Sequence, residues 1–122
     1  MGDYLKEICV FRGRRRGDRV TVSVETGTAT ELLKHEVRHS PSGFEWGYSG
    51  SGPADLARSL CAHVLGHVPL TKVYQFVKDD LVAPIQTDRW ELSFSAVMDS
   101  IARASGGAGV FTPGEGADAA DE

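Results

Sequence analysis

The chain has 122 residues, 41% of them hydrophobic, and a formal net charge of −4. That is the length of one domain, with enough chain to fold without disulfides or a structural metal. No apolar run approaches the ~18 residues a membrane span needs, and Met1-Gly2-Asp3-Tyr4 lacks the basic and apolar regions of a secretory signal.

The charge is unevenly placed. Residues 105–122 carry Glu115, Asp118, Asp121 and Glu122 and no base. Without those four acids the chain balances, with 13 acids against 13 bases over residues 1–104. Five of those bases, Arg12, Arg14, Arg15, Arg16 and Arg19, fall within eight residues. Cys9 and Cys61 both sit at apolar positions and read as buried thiols. That suits a reducing compartment, so the expected location is cytoplasmic, with no membrane partner.

In chain order, Ile8-Cys9-Val10-Phe11 is a short apolar run and the first predicted strand. Arg12 to Asp18 reads as a polar turn punctuated by glycine, with Gly17-Asp18 supplying the turn chemistry. Arg19 to Glu25 alternates strictly and is rich in β-branched residues, so a second strand closes a hairpin there. Thr26-Gly27-Thr28 breaks the pattern. In residues 31–39, Leu33, His35, Val37 and His39 alternate with charges; this favours a strand, although the composition also permits a helix. Ser40-Pro41-Ser42-Gly43 is then a turn.

Phe44, Trp46 and Tyr48 alternate with Glu45, Gly47 and Ser49, which predicts a strand with three rings on one face. Trp46 is expected in the core, and Tyr48 is expected to show its hydroxyl. Ser49-Gly50-Ser51-Gly52 turns the chain into a helix. Pro53 suits the first helical position, which makes Gly52 the N-cap, with Ser51 its rival. Asp55 would then lie in the first turn, where its charge suits the helix dipole.

The run Gly43-Phe44-Glu45-Trp46-Gly47-Tyr48, followed by Gly50-Ser51-Gly52-Pro53-Ala54-Asp55-Leu56-Ala57, resembles the signature of a small family of uncharacterised domains. Bacteria, plasmids and phages encode them. The similarity spans about Tyr4 to Ala104 and includes Trp90-Glu91-Leu92-Ser93. The resemblance implies a small cytosolic accessory protein and names no catalytic residue.

Helical spacing resumes from Pro53 to Leu65, where Leu56, Ala57, Leu60, Cys61 and Val64 form one apolar face. Gly66 and Pro69 stop it. Leu70 to Val82 carries a second stripe of Val73, Phe76, Val77 and Leu81, closed by Pro84. Trp90 and Leu92 predict a short extended piece. Ser93 then caps a third helix lined by Phe94, Val97, Met98 and Ile101. The whole reads as one α+β domain over residues 1–104: a small antiparallel sheet, the N-terminal hairpin plus one or two strands, covered on one face by about three helices. Residues 105–122 read as a disordered acidic tail rich in glycine and alanine.

The chemistry-bearing signals are few. The glycine turn before a helix is a candidate anion site, but no Walker loop or dinucleotide fingerprint is present, and Asp55 would repel a phosphate there. His63 and His67 are four apart, yet Gly66 ends the helix between them, and the histidines read as solvent-facing or helix-terminal. No metal or cofactor is expected. No serine stands in a nucleophile elbow, so no catalytic residue is assigned. The aromatic face could stack bases, but core packing is the commoner use.

The candidate contact residues are therefore Arg14, Arg15 and Arg16 on a hairpin tip, and Tyr48, Ser49, Gly50, Ser51 and Gly52 on the glycine loop. They point to a non-enzymatic binding or regulatory protein with a protein partner. The alternative is a nucleotide or nucleic-acid domain that uses the same two features for phosphates. Two separate locations for them would favour the first, and convergence on one concave site the second. The oligomeric state is not specified by the sequence.

Overall fold

The structure is a computed structural model and describes residues 9–106. Among these residues the order of elements is β1 (Val10–Arg16), β2 (Arg19–Thr26), β3 (Ala29–Leu32), α1 (Ser51–Leu65), α2 (Thr71–Val77), β4 (Arg89–Ser93) and α3 (Phe94–Ala104). A π-helical turn over Lys78–Val82 prolongs α2. The strands form one antiparallel sheet in the order β3-β2-β1-β4. This is the α+β fold read from the sequence. The acidic tail proposed from composition lies outside the described residues, apart from Ser105 and Gly106, which close the last turn of α3.

Both hairpins turn on two residues. Arg16 pairs with Arg19 around Gly17-Asp18, and Thr26 pairs with Ala29 around Gly27-Thr28. Gly17 and Gly27 take φ of 60° and 62°. Positive φ at the first turn position suits glycine and matches the twist of the strands.

Three sequence expectations are corrected here. Arg12 to Arg16 is not a turn; it is most of β1, and only Gly17-Asp18 turns. The strand placed at residues 31–39 is β3, which starts at Ala29 and ends at Leu32. Beyond it the chain runs irregularly along α1. The aromatic stretch 44–48 is not a strand either. Gly43 and Gly47 break it with φ of 130° and 93°.

The sheet has two unlike faces. Phe11, Val22, Val24 and Trp90 point to the helices and join one core with Trp46, Leu56, Leu60, Tyr74, Val97 and Ile101. Trp46 is buried at 2% exposure, as expected from the sequence. Gly13 stands on the same side of β1 as Phe11, opposite Trp90 of β4. A Cβ at Gly13 would come within 2.1 Å of the Trp90 indole. The glycine therefore makes room for the ring. Both cysteines are buried and not joined to each other.

The helices follow their apolar stripes. α1 is buried along most of its length and ends at Gly66, which adopts φ 85° and returns its N–H to the Ala62 carbonyl. Its N-cap is Gly50, so Pro53 occupies the third helical position. The expected cap at Gly52 or Ser51 is thus displaced toward the N-terminus. α3 begins as expected, with Ser93 Oγ accepting from the Ala96 N–H at 3.0 Å.

Candidate binding surfaces

The uncovered face of the sheet is the first candidate. Side chains alternate along a strand, so Arg12, Arg14 and Arg16 share the face opposite Phe11 and Gly13. In the register, Arg14 lies across from Thr21 of β2 and from Arg89 of β4, and Arg16 lies across from Arg19. Arg12 is neutralised, because it bonds both Glu25 and Glu91. Arg14, Arg16, Arg19 and Arg89 are exposed, and among the described residues none has a side-chain hydrogen bond or ion pair. A shallow depression of about 450 Å³ lies on this face, lined by Arg12, Arg14, Thr21, Ser23, Arg89 and Glu91 among others.

Like charges directly opposite each other across a strand pair are destabilising. Arg14–Arg89 and Arg16–Arg19 are two such pairs, side by side. Their repulsion is relieved when an anion is shared between them. Arg89 was not among the contact residues named from the sequence. Its signal was present in the alternation Arg89-Trp90-Glu91-Leu92, but its place beside Arg14 depends on the β1–β4 pairing.

Arg15 does not join them. One residue out of phase, it turns to the other face, where its guanidinium lies 4.4 Å from the Trp46 ring centroid. It donates to Glu45 at 2.6 Å and to Asp88 at 2.8 Å. The Glu45 bond does most to raise its pKa above the ordinary value; burial opposes the rise, and Asp88 adds to it. The expectation of one arginine cluster at a loop tip is therefore corrected. Arg14 and Arg16 are exposed on the open face, and Arg15 is a structural clamp.

The aromatic residues are likewise dispersed, so they offer no stacking platform. Trp46 is in the core, donating its Nε1–H to the Thr87 carbonyl at 2.9 Å and meeting Trp90 edge to face. Phe44 packs on the His35 ring with centroids 4.5 Å apart. Tyr48 is half exposed.

Asp55 is not a first-turn dipole partner. It is fully buried and faces the loop after β3. Its carboxylate accepts from the backbone N–H groups of Arg38, His39 and Ser40 at 2.9 to 3.3 Å. His35 Nε2 stands 2.8 Å from Oδ2. Burial pushes the Asp55 carboxyl up, but the His35 bond and the three backbone donors outweigh it and hold the pKa below the ordinary value. Ser59 accepts from the Glu36 N–H at 2.9 Å, and His39 Nε2 lies 2.8 Å from the Tyr74 hydroxyl. His35 and His39 thus brace the loop, and neither is the solvent-facing histidine expected from the sequence. His63 packs edge-on against Phe11, and His67 lies beyond the helix end. Among the described residues no group of histidine, cysteine and acidic side chains could hold a metal.

The glycine loop faces a second depression, of about 550 Å³, on the other side of the hairpin from the open arginines. Tyr48, Ser51 and Gly52 line it, together with Asp18 at the hairpin tip and Ser42 and Glu45. The glycines have local reasons. A Cβ at Gly50 would strike the Tyr48 ring at 2.5 Å, and one at Gly52 would strike Glu45 at 2.8 Å. Ser49 is exposed and does not line the depression. The sequence-predicted residues thus occupy two places: Arg14 and Arg16 on the open face, and Tyr48, Ser51 and Gly52 beside the hairpin tip.

The chain belongs to a family of unknown function (DUF6166), whose model matches residues 11–103. No curated protein and no solved structure matches the chain. Among the described residues no helix is long and apolar enough to cross a membrane.

Proposed function

We propose that this domain is a non-enzymatic binding module that docks an acidic patch of a partner protein on the open face of its sheet. The observation that carries the reading is the group Arg14, Arg16, Arg19 and Arg89, exposed and without a carboxylate of its own. Arginine forks pair with carboxylates two bonds at a time, and arginine is enriched in protein interfaces. Two features favour a compact acidic patch over a nucleic-acid strand. The far end of the face carries Glu25 and Glu91, which would oppose a phosphate backbone continuing across it. Among the described residues the face also offers no exposed ring for bases, since Trp46 and Trp90 are buried in the core. The signature-like stretch Gly43–Ala57 adds a narrower reading, that of a mobile-element or phage accessory factor acting on a host complex in the cytoplasm.

The test is a pull-down from host lysate with and without nuclease, using the full chain and a variant with Arg14, Arg16, Arg19 and Arg89 all replaced by alanine. A nuclease-resistant protein captured by the native chain and lost in the variant is the expected result. Capture abolished by nuclease would move the reading to nucleic acid. Identical partners for both proteins would leave the arginines without a binding role.

A further inference from the structure

The depression beside the hairpin tip is chemically unlike the open arginine face, and we infer that it is a binding site for a neutral sugar ring carrying vicinal hydroxyls. Its volume of about 550 Å³ falls in the range of small-ligand sites. Three kinds of group converge on it. Tyr48 supplies an aromatic surface: the ring rests against Gly50, and 51% of the residue is open. Asp18 supplies acceptors; it is exposed and has no side-chain partner among the described residues. Ser42 and Ser51 supply hydroxyls that both donate and accept.

The start of α1 adds donors. Ser51 and Gly52, the first two helical residues, both line the depression, and their N–H groups have no partner within the helix, whereas Pro53 has no N–H and the Ala54 N–H is taken by the Gly50 carbonyl. The lining of the site therefore combines acceptors, donors and an aromatic ring. A saccharide ring presents the matching set, with hydroxyls around its edge and C–H groups on its faces.

The charges argue against the two ionic alternatives. For a cation, the carboxylate of Glu45 is already paired with Arg15, and the positive end of the α1 dipole faces the site. For an anion, Asp18 and Glu45 both line the wall, and none of the lining residues is basic. Asp55 does not enter the balance, because it is turned inward and satisfied by the loop.

The turn behind the site is held by its own hydrogen bonds. Ser40 Oγ donates to the Gly43 carbonyl at 2.9 Å, and the Gly43 N–H returns to the Ser40 carbonyl at 3.1 Å. The Ser40 N–H is held in turn by Asp55 at 3.0 Å. Both sugars and nucleosides carry the required ring, so the source must come from experiment.

The test is titration of the isotope-labelled full chain, followed by backbone amide NMR, with hexoses, ribonucleosides, 2′,3′-dideoxyribonucleosides and a short lysine peptide. The expected result is saturable shifts at Tyr48, Ser51 and Gly52 with hexoses or ribonucleosides, and the responding class identifies the source. Tyr48→Ala should weaken that binding by roughly tenfold, and Asp18→Asn should weaken it while leaving the spectrum otherwise native. Dideoxyribonucleosides that bind as well as ribonucleosides would overturn the inference, since the hydroxyls would then not be read. Shifts with the lysine peptide alone, or with nothing in the panel, would overturn it too. The alanine variant of the four open-face arginines should bind the sugar unchanged, which separates this site from the protein-docking surface.

Discussion

His35 Nε2 and Asp55 Oδ2 are 2.8 Å apart, and they join the irregular chain after β3 to the first turns of α1. The pair is part of a larger arrangement in which one buried carboxylate accepts from three successive backbone N–H groups. Three successive backbone N–H groups of a segment outside the strands and helices are thereby satisfied by a single side chain, and Ser59 takes a fourth, from Glu36. Asp55→Ala would take the acceptor from its three backbone donors, among them the N–H of buried Ser40, and from His35. The expected cost is roughly 3–5 kcal/mol, measured by denaturant unfolding. A loss under about 1 kcal/mol would show that water replaces the carboxylate.

The same residue makes stability depend on pH. Its folded pKa is depressed, so its contribution is present above the unfolded value of about 3.9 and is lost as pH falls through the folded value. Melting temperatures of the native protein and Asp55→Asn should therefore differ by a constant amount from neutral pH down to about 5, then converge in more acid solution. Asp80 is also depressed: burial pushes it up, but its bonds to Arg103 and Ser100 outweigh that. Since Asp80 is common to both proteins, its effect cancels in the difference. A gap that stays constant into strong acid would count against the Asp55 assignment.

Neighbouring arginines should behave oppositely. Arg14→Ala removes an exposed side chain facing Arg89 and should change stability by less than about 0.5 kcal/mol, toward greater stability if at all. Arg15→Ala removes the guanidinium stacked on Trp46 and bonded to Glu45 and Asp88, with an expected loss of about 1–2 kcal/mol. Partner capture should show the reverse order, with the larger defect in Arg14→Ala. Equal effects of the two changes on stability would contradict the division of the faces.

Gly13→Ala should destabilise by about 1–3 kcal/mol, because the new methyl group occupies space held by the Trp90 indole. Trp90→Leu costs stability alone by leaving a cavity, but in its presence the alanine should cost less. A double-mutant cycle measures that coupling. Strict additivity would mean that the two residues do not share the space.

Trp46→Ala should cost roughly 3–5 kcal/mol. The fluorescence of Trp46, isolated in a Trp90→Phe background, should be blue-shifted and resistant to iodide. Ready quenching there would place the ring at the surface.

The helices and β2 were legible because their apolar periods are long and unbroken. Leu56, Leu60 and Val64 repeat at helical spacing, and Val20, Val22 and Val24 at strand spacing. β1 was cut short because Arg14-Arg15-Arg16 carries no hydrophobic alternation; Arg15 reaches the inner face as a cation on a tryptophan. The aromatic stretch misled for the opposite reason. Phe44, Trp46 and Tyr48 have strand period without strand partners, and the glycines between them turn the chain. Asp55 was out of reach for a third reason: its donors lie 15 to 17 residues earlier, and no local pattern marks them. Of the candidate contacts, Arg14, Arg16 and the glycine loop were named from the clustering of charge and the turn pattern, whereas Arg89 and Asp18 needed the sheet to bring them in.

The separation of Arg14 and Arg16 from Arg15 is a matter of parity. Each residue of β1 has its face assigned by whether its distance from Phe11 is odd or even. Deleting Gly13 would preserve the charge count while turning the clamp outward and driving the unpaired guanidinium groups of Arg14 and Arg16 toward Trp90 and Trp46. Length changes in this hairpin should therefore be tolerated at Gly17-Asp18 and rejected two or three positions earlier. A chain with the same composition and a shifted frame would keep its arginines and lose their division of labour.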